Sequence, residues 1–163
     1  MWFNLLRAFV LCFLAAYFFA PVLSTPKRSA PIAAIIGAFG YLVFLIVPLY
    51  FAGGKITAYF FATTVMMILS ELSAYTLKMP STIFITVAVV PIVPGGGLYN
   101  TMFFMVQGKY SQMQATGFET FYIICVMAIA IALSSSLSKL VLGALFRRKK
   151  KNTSSIANSS KNY

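Results

Sequence analysis

Between Ile85 and Thr101 the chain reads ITVAVVPIVPGGGLYNT, inside a hydrophobic stretch that runs from Thr82 to Val106. Two prolines three apart, three consecutive glycines and a polar Tyr-Asn-Thr are unusual company for a membrane-length apolar run. Pro91 has no N–H to give to the carbonyl of Val87, and Pro94 has none for Val90. Gly95, Gly96 and Gly97 are each weaker helix formers than alanine by about 1 kcal/mol. The pattern predicts a helix that stops near Val90 and restarts near Leu98. The first half then ends in free carbonyls, which attract cations. The second begins with free N–H groups at the positive end of a helix dipole, which attract anions. Glycine lets a ligand come close to the backbone. The residues expected to bind substrate are Pro91, Pro94, Gly95, Gly96, Gly97, Tyr99, Asn100 and Thr101. A zwitterion carrying ammonium and carboxylate, or a small carboxylate, suits this set. The plainer reading is a kinked packing helix, since Pro and Gly are frequent in membrane helices.

The elements that must hold such a break are read from composition. Of 163 residues, 60% are hydrophobic and 9% are charged, and the mean hydropathy is +0.87. Soluble domains carry about 25% charged residues. The fold class expected is all-α, a polytopic integral membrane protein. The length allows about four to six spans of about 20 residues each. Five are drawn, at about 2–23, 31–51, 56–77, 82–106 and 120–140, with the fourth broken. Residues 1–146 make one transmembrane domain and 147–163 a basic, disordered cytosolic tail. The first segment is too long an apolar run for a signal peptide, and no small-x-small cleavage site stands out.

Each segment has local signals. Ser29 suits the N-cap of the second helix and Pro31 its first turn. Ala30, Ala33, Ala34, Gly37 and Gly40 recur by threes and fours, a small-residue face for close helix packing. Pro48 kinks or ends that helix, and Gly53-Gly54-Lys55 is the turn. Gly108 to about Glu119 reads as a polar loop. Counted from Ser81, Pro91 to Gly97 lie about 10 to 16 residues into the fourth span, near the bilayer midplane.

Histidine is absent and the only acids are Glu71 and Glu119. No Ser-His-Asp set, spaced carboxylate pair or metal cluster can be assembled, so no enzyme, metal or cofactor is expected. Cys12 and Cys125 read as small buried hydrophobes. Thr57, Thr64, Glu71 and Lys78 fall seven apart on one stripe of the third helix, which faces protein or a cavity. Glu71 is the one acid placed within a span. It reads as a proton or cation carrier, against a structural acid partnered by Lys78 or a companion cation. Glu119 reads as a loop or helix-start acid, Lys139 as a snorkelling residue and Trp2 as an interface anchor.

The net charge of +11 gathers partly in Arg147-Arg148-Lys149-Lys150-Lys151. That block reads as a cytosolic topology signal rather than a nucleic-acid site. With five spans it places the C-terminus in the cytosol and the N-terminus outside.

Pro80, Phe84, Pro91, Val93-Pro94-Gly95 and Tyr99 together resemble the signature stretch of the threonine/serine exporter family. The likeness is closer to the small separate subunit that corresponds to the C-terminal half of the full exporter. Thr25-Pro26-Lys27-Arg28, followed by Ala34, Gly37 and Gly40, resembles the family's first loop and second helix. The similarity covers about Val22 to Phe146. It implies a five-span half, in a bacterial plasma membrane, that works with a larger companion membrane subunit. That companion carries its own spans and a hydrolase-like cytosolic portion. It implies export of threonine and serine, or of dicarboxylates such as succinate in some split members, driven by ion-motive force. The triple glycine and the basic tail depart from the family pattern.

The function expected is one component of a two-subunit exporter, working by alternating access around Pro91 to Asn100, with Glu71 in ion coupling. Two other classes stay open. One is a substrate-capture subunit of a multi-component uptake system. The other is a membrane scaffold in which the broken helix serves assembly.

Overall fold

The computed structural model describes residues 2–50 and 54–159. Its elements are α1 Trp2–Phe19, α2 Ala30–Tyr50, α3 Gly54–Leu77, α4 Ser81–Val89, a 3-10 turn Val90–Ile92, α5 Gly95–Val106 and α6 Tyr110–Ser159. Residues 1, 51–53 and 160–163 lie outside those described, as do the side chains of Trp2, Asn4, Lys139 and residues 141–159.

α2, α3 and the Tyr110–Ser138 part of α6 are long and apolar enough to cross a membrane, and α2 runs on through Pro48 to Tyr50 rather than ending there. Ser81–Ile92 and Gly95–Val106 qualify together as a pair bent by 55°. That makes three candidate spans among the described residues, or four if the bent pair is one. Leu5–Phe19 in α1 is apolar but shorter, so length alone does not reach the expected five.

α2 is the centre of the bundle, with α1, α3 and α4 against it. Its small residues do what their spacing suggests. Ala30, Ala33, Ala34, Gly37 and Gly40 are all buried. Gly37 lies on the α4 backbone, where an added methyl would meet the Ala88 carbonyl oxygen at 2.8 Å and its Cα at 3.1 Å. Gly40 lies under the Met66 side chain of α3. Phe84, Met66 and Val87 fill the space between these three helices.

Three helices end the same way. A residue with positive φ follows or nearly follows the last turn: Ser24 (52°), Lys78 (53°) and Gly108 (71°). In each case the next N–H reaches back five residues: Thr25 to Ala20 (3.2 Å), Met79 to Ala74 (3.0 Å) and Lys109 to Phe104 (3.0 Å). This closes carbonyls that the helix would leave free.

α3 and α6 run parallel and in register. Lys55 meets Glu119 near one end and Glu71 meets Ser135 near the other, each pair 64 residues apart. α4 runs back between those two levels. α5 continues beyond it, lies against α6, and has no buried residue.

Three local expectations are corrected. Ser29 is not a side-chain cap; its hydroxyl donates to the Pro26 carbonyl (3.0 Å), because the chain already turns there, with Ala30 N–H bonded to the same oxygen (3.1 Å). The polar loop after Gly108 is short. α6 begins at Tyr110 and includes Glu119, since Ser111 to Glu119 is polar but holds no proline. Polarity alone does not break a helix. Finally, α5 starts at Gly95 rather than Leu98. The first turn of a helix has no intrahelical partners for its N–H groups, so glycines cost least there. The backbone of α6 stays helical to Ser159, through the basic run that composition marks for disorder.

Candidate functional site

The two prolines act at different points. The missing N–H of Pro91 turns the end of α4 into a 3-10 turn, in which Val90 N–H bonds to the Val87 carbonyl. Val93 N–H still reaches Val89 (3.2 Å). The acceptor that Pro94 would have served, the carbonyl of Val90, loses its natural donor. After Pro94 the new helix starts. Gly95 N–H turns back to Val93 (2.7 Å) and Leu98 N–H makes the first helical bond, to Pro94 (3.2 Å). Pro94 supplies no side-chain cap. The N–H groups of Gly96 and Gly97 are thus left at the positive end of α5.

A partly enclosed cavity of about 370 Å³ lies at this break. Its wall is Val93 to Gly97 and Asn100 from the break, Phe44 from α2, Lys55 and Tyr59 from α3, and Thr116, Glu119, Thr120 and Ile123 from α6. The volume is at the low end of the about 300–1,000 Å³ that small-molecule sites occupy.

The glycines separate into two kinds. A methyl on Gly95 or Gly96 would meet no atom within 4 Å, so these two present bare backbone to open space. A methyl on Gly97 would strike Thr120, whose Oγ1 donates to the Thr116 carbonyl at 2.7 Å. Gly97 is where α5 and α6 cross closely.

Of the eight residues expected at the site, Pro94, Gly95, Gly96, Gly97 and Asn100 line this cavity. Pro91 does not. It sits in the 3-10 turn, which lies against α1 and α2. Tyr99 points away and is 67% exposed, stacked on Phe103 with ring centroids 6.0 Å apart. Thr101 bonds back to the Gly97 carbonyl (2.8 Å) and borders a separate apolar groove with Met113, Gly117 and Phe121. Neighbouring positions on a helix point about 100° apart, and the rotation of α5 turns Asn100 to this cavity, Thr101 to the groove and Tyr99 outward.

Sequence reasoning missed Lys55, Tyr59 and Glu119. Lys55 Nζ and Glu119 Oε1 are 3.4 Å apart across the rim. Their separation of 64 residues, with Glu119 assigned to a loop, hid the pair. The one available signal was that the chain has only two acids.

Glu71 is elsewhere. It lies 16 residues along α3 from Lys55, about 24 Å at the helical rise. It is 7% exposed, and its Oε1 accepts hydrogen bonds from Ser81 Oγ and Ser135 Oγ, both at 3.1 Å. Ser81 is the first residue of α4, so this acid ties α3, α4 and α6 together. Lys78, the partner expected from the stripe, turns off the helix with positive φ and is exposed, because α3 ends at Leu77. Between Glu71 and the cavity, the buried hydroxyls of Thr64 and Ser70 have no hydrogen-bond partner among the described residues.

The break is level with Lys55 and Tyr59, in the first two turns of α3, and with Phe44 near the end of α2. It is therefore nearer one end of the bundle than a count along α4 alone suggests.

The described helices are long and apolar enough for membrane spans, and one bent pair carries a cavity at its bend. A family model described as the threonine/serine exporter, ThrE, matches residues 8–137. The chain belongs to that family. No curated protein and no solved structure matches it.

Proposed function

We propose that this chain is the smaller of the two membrane subunits of an exporter, and that its substrate rests in the cavity at the break between α4 and α5. The observation that carries this reading is the meeting, in one cavity, of bare glycine backbone, the N-terminus of α5 and an ion pair. A substrate carboxylate is held by the N–H groups of Gly96 and Gly97, with Asn100 and Thr116 in reach of a hydroxyl. Threonine and serine fit that description, and small carboxylates such as succinate compete with them.

In this mechanism α1 crosses as a fifth span, and the basic run 147–151 beyond the apolar part of α6 keeps the C-terminus in the cytosol. The break works as a hinge between α4 and α5 in alternating access. Glu71 couples an ion gradient to that hinge. Glu71 accepts a hydrogen bond from Ser81 on the first turn of α4, about 18 Å along α3 from Tyr59 of the cavity. The hydroxyls of Thr64 and Ser70 are the polar atoms on α3 that a hydrated path between the two sites would use. The larger companion covers α5, which among the described residues has no buried residue and packs chiefly against α6.

The test is efflux of labelled threonine, serine and succinate from cells lacking their own exporters. The chain is expressed alone and beside its larger companion. Efflux only with both is expected. Efflux from this chain alone overturns the two-subunit reading, and no efflux with both correctly inserted overturns the exporter reading.

A further inference from the structure

We infer that Lys55 and Glu119 are the specificity-determining pair of this cavity, parting from each other to take the two charged ends of an amino-acid zwitterion. The inference rests on the proposed substrate site and says which residues read the substrate's charge.

Four observations lead to it. The pair lies on the cavity wall rather than on a lipid- or water-facing surface away from it. Among the described residues it joins one of the chain's two acids to a lysine, and the other acid bonds only to hydroxyls. The contact is long, 3.4 Å, and its side chains are 76% and 52% exposed. A contact of that kind adds little to folding. α3 and α6 are moreover already joined through Glu71 and Ser135.

The exchange balances in charge. The empty cavity holds one charge-assisted bond, between Lys55 and Glu119. A bound zwitterion replaces it with two, carboxylate to Lys55 and ammonium to Glu119. The carboxylate also faces the first-turn N–H groups of Gly96 and Gly97, which sets the direction in which the zwitterion lies. A carboxylate without an amine takes Lys55 and leaves Glu119 unpaired. An amine without a carboxylate does the reverse. Both are rejected by the charge they strand, so the pair selects zwitterions over plain acids such as succinate.

The test uses this chain assembled with its larger companion in lipid nanodiscs, and equilibrium binding of labelled L-threonine. Unlabelled 3-hydroxybutyrate, which is threonine without its amine, and 1-amino-2-propanol, which is threonine without its carboxylate, serve as competitors. The wild type should prefer threonine to both. Glu119→Gln should weaken threonine by about tenfold or more and abolish the preference over 3-hydroxybutyrate. Lys55→Met should do the same against 1-amino-2-propanol. The double exchange Lys55→Glu with Glu119→Lys separates recognition from structure. It restores a structural ion pair but turns the charges the wrong way for the dipole of α5, so threonine binding should stay lost. Wild-type affinity in the double exchange, or unchanged selectivity in the single variants, overturns the inference and leaves the substrate site standing. A wild-type protein that binds none of the three ligands overturns the site and the inference together.

Discussion

The three consecutive glycines should respond to the same substitution in two opposite ways. Gly97→Ala puts a methyl against Thr120, whose Cγ2 and Cβ would lie 3.2 and 3.3 Å away, with Oγ1 closer still. Thr120 is 4% exposed and cannot swing into solvent. It can rotate, losing the 2.7 Å bond from its hydroxyl to the Thr116 carbonyl, or α5 can move off α6. Overpacking of this kind costs about 1–3 kcal/mol. A buried hydroxyl left without its partner adds about 1–3 kcal/mol. The two routes are alternatives, so the expected loss is that of the cheaper one, about 1–3 kcal/mol, rather than their sum. Gly95→Ala and Gly96→Ala meet nothing within 4 Å, and alanine favours helix. Their stability should be unchanged or slightly higher. Their added methyls stand in the cavity, so substrate binding should fall. The assay is thermal unfolding in detergent together with threonine binding on the same samples. Gly97→Ala should unfold at a clearly lower temperature than the other two. Adding Thr120→Ala to Gly97→Ala should recover part of the loss. Equal unfolding temperatures for all three single variants would refute the division into one packing glycine and two site glycines.

Three further outcomes are expected. Gly37→Ala should destabilise by about 1–3 kcal/mol or more and exceed Gly40→Ala, as read by thermal unfolding. The first strikes the Ala88 backbone, and the second strikes a methionine side chain that can rearrange. Glu71→Ala should cost about 1–3 kcal/mol, because Ser81 and Ser135 lose their common acceptor. Glu71→Gln keeps an acceptor oxygen and should fold nearly as well, while proton-gradient dependence of efflux disappears; unchanged gradient dependence would remove Glu71 from coupling. Pro94→Ala returns an N–H that can bond to the Val90 carbonyl and should straighten the 55° bend. Spin-label distances between the exposed positions 82 and 106 should lengthen, and an unchanged distance would assign the bend to packing rather than to proline.

Sequence alone carried the all-helical, membrane-bound character of the chain, since apolar composition and helix length are local properties. It also marked the two prolines beside the 55° bend, because a proline's missing N–H acts within four residues of itself. The small-residue face of α2 was legible for the same reason: three- and four-residue spacing defines a helix face wherever the helix sits. Tertiary structure decided what no local pattern holds. It chose Asn100 over Tyr99 and Thr101 by fixing the rotation of α5 against α6. It separated Gly97 from Gly95 and Gly96 by placing Thr120 opposite only one of them. It paired Lys55 with Glu119 across 64 residues and gave Glu71 two serines in place of Lys78. Each of these depends on which helices are neighbours and at what register, and neighbours are set by packing the whole bundle at once.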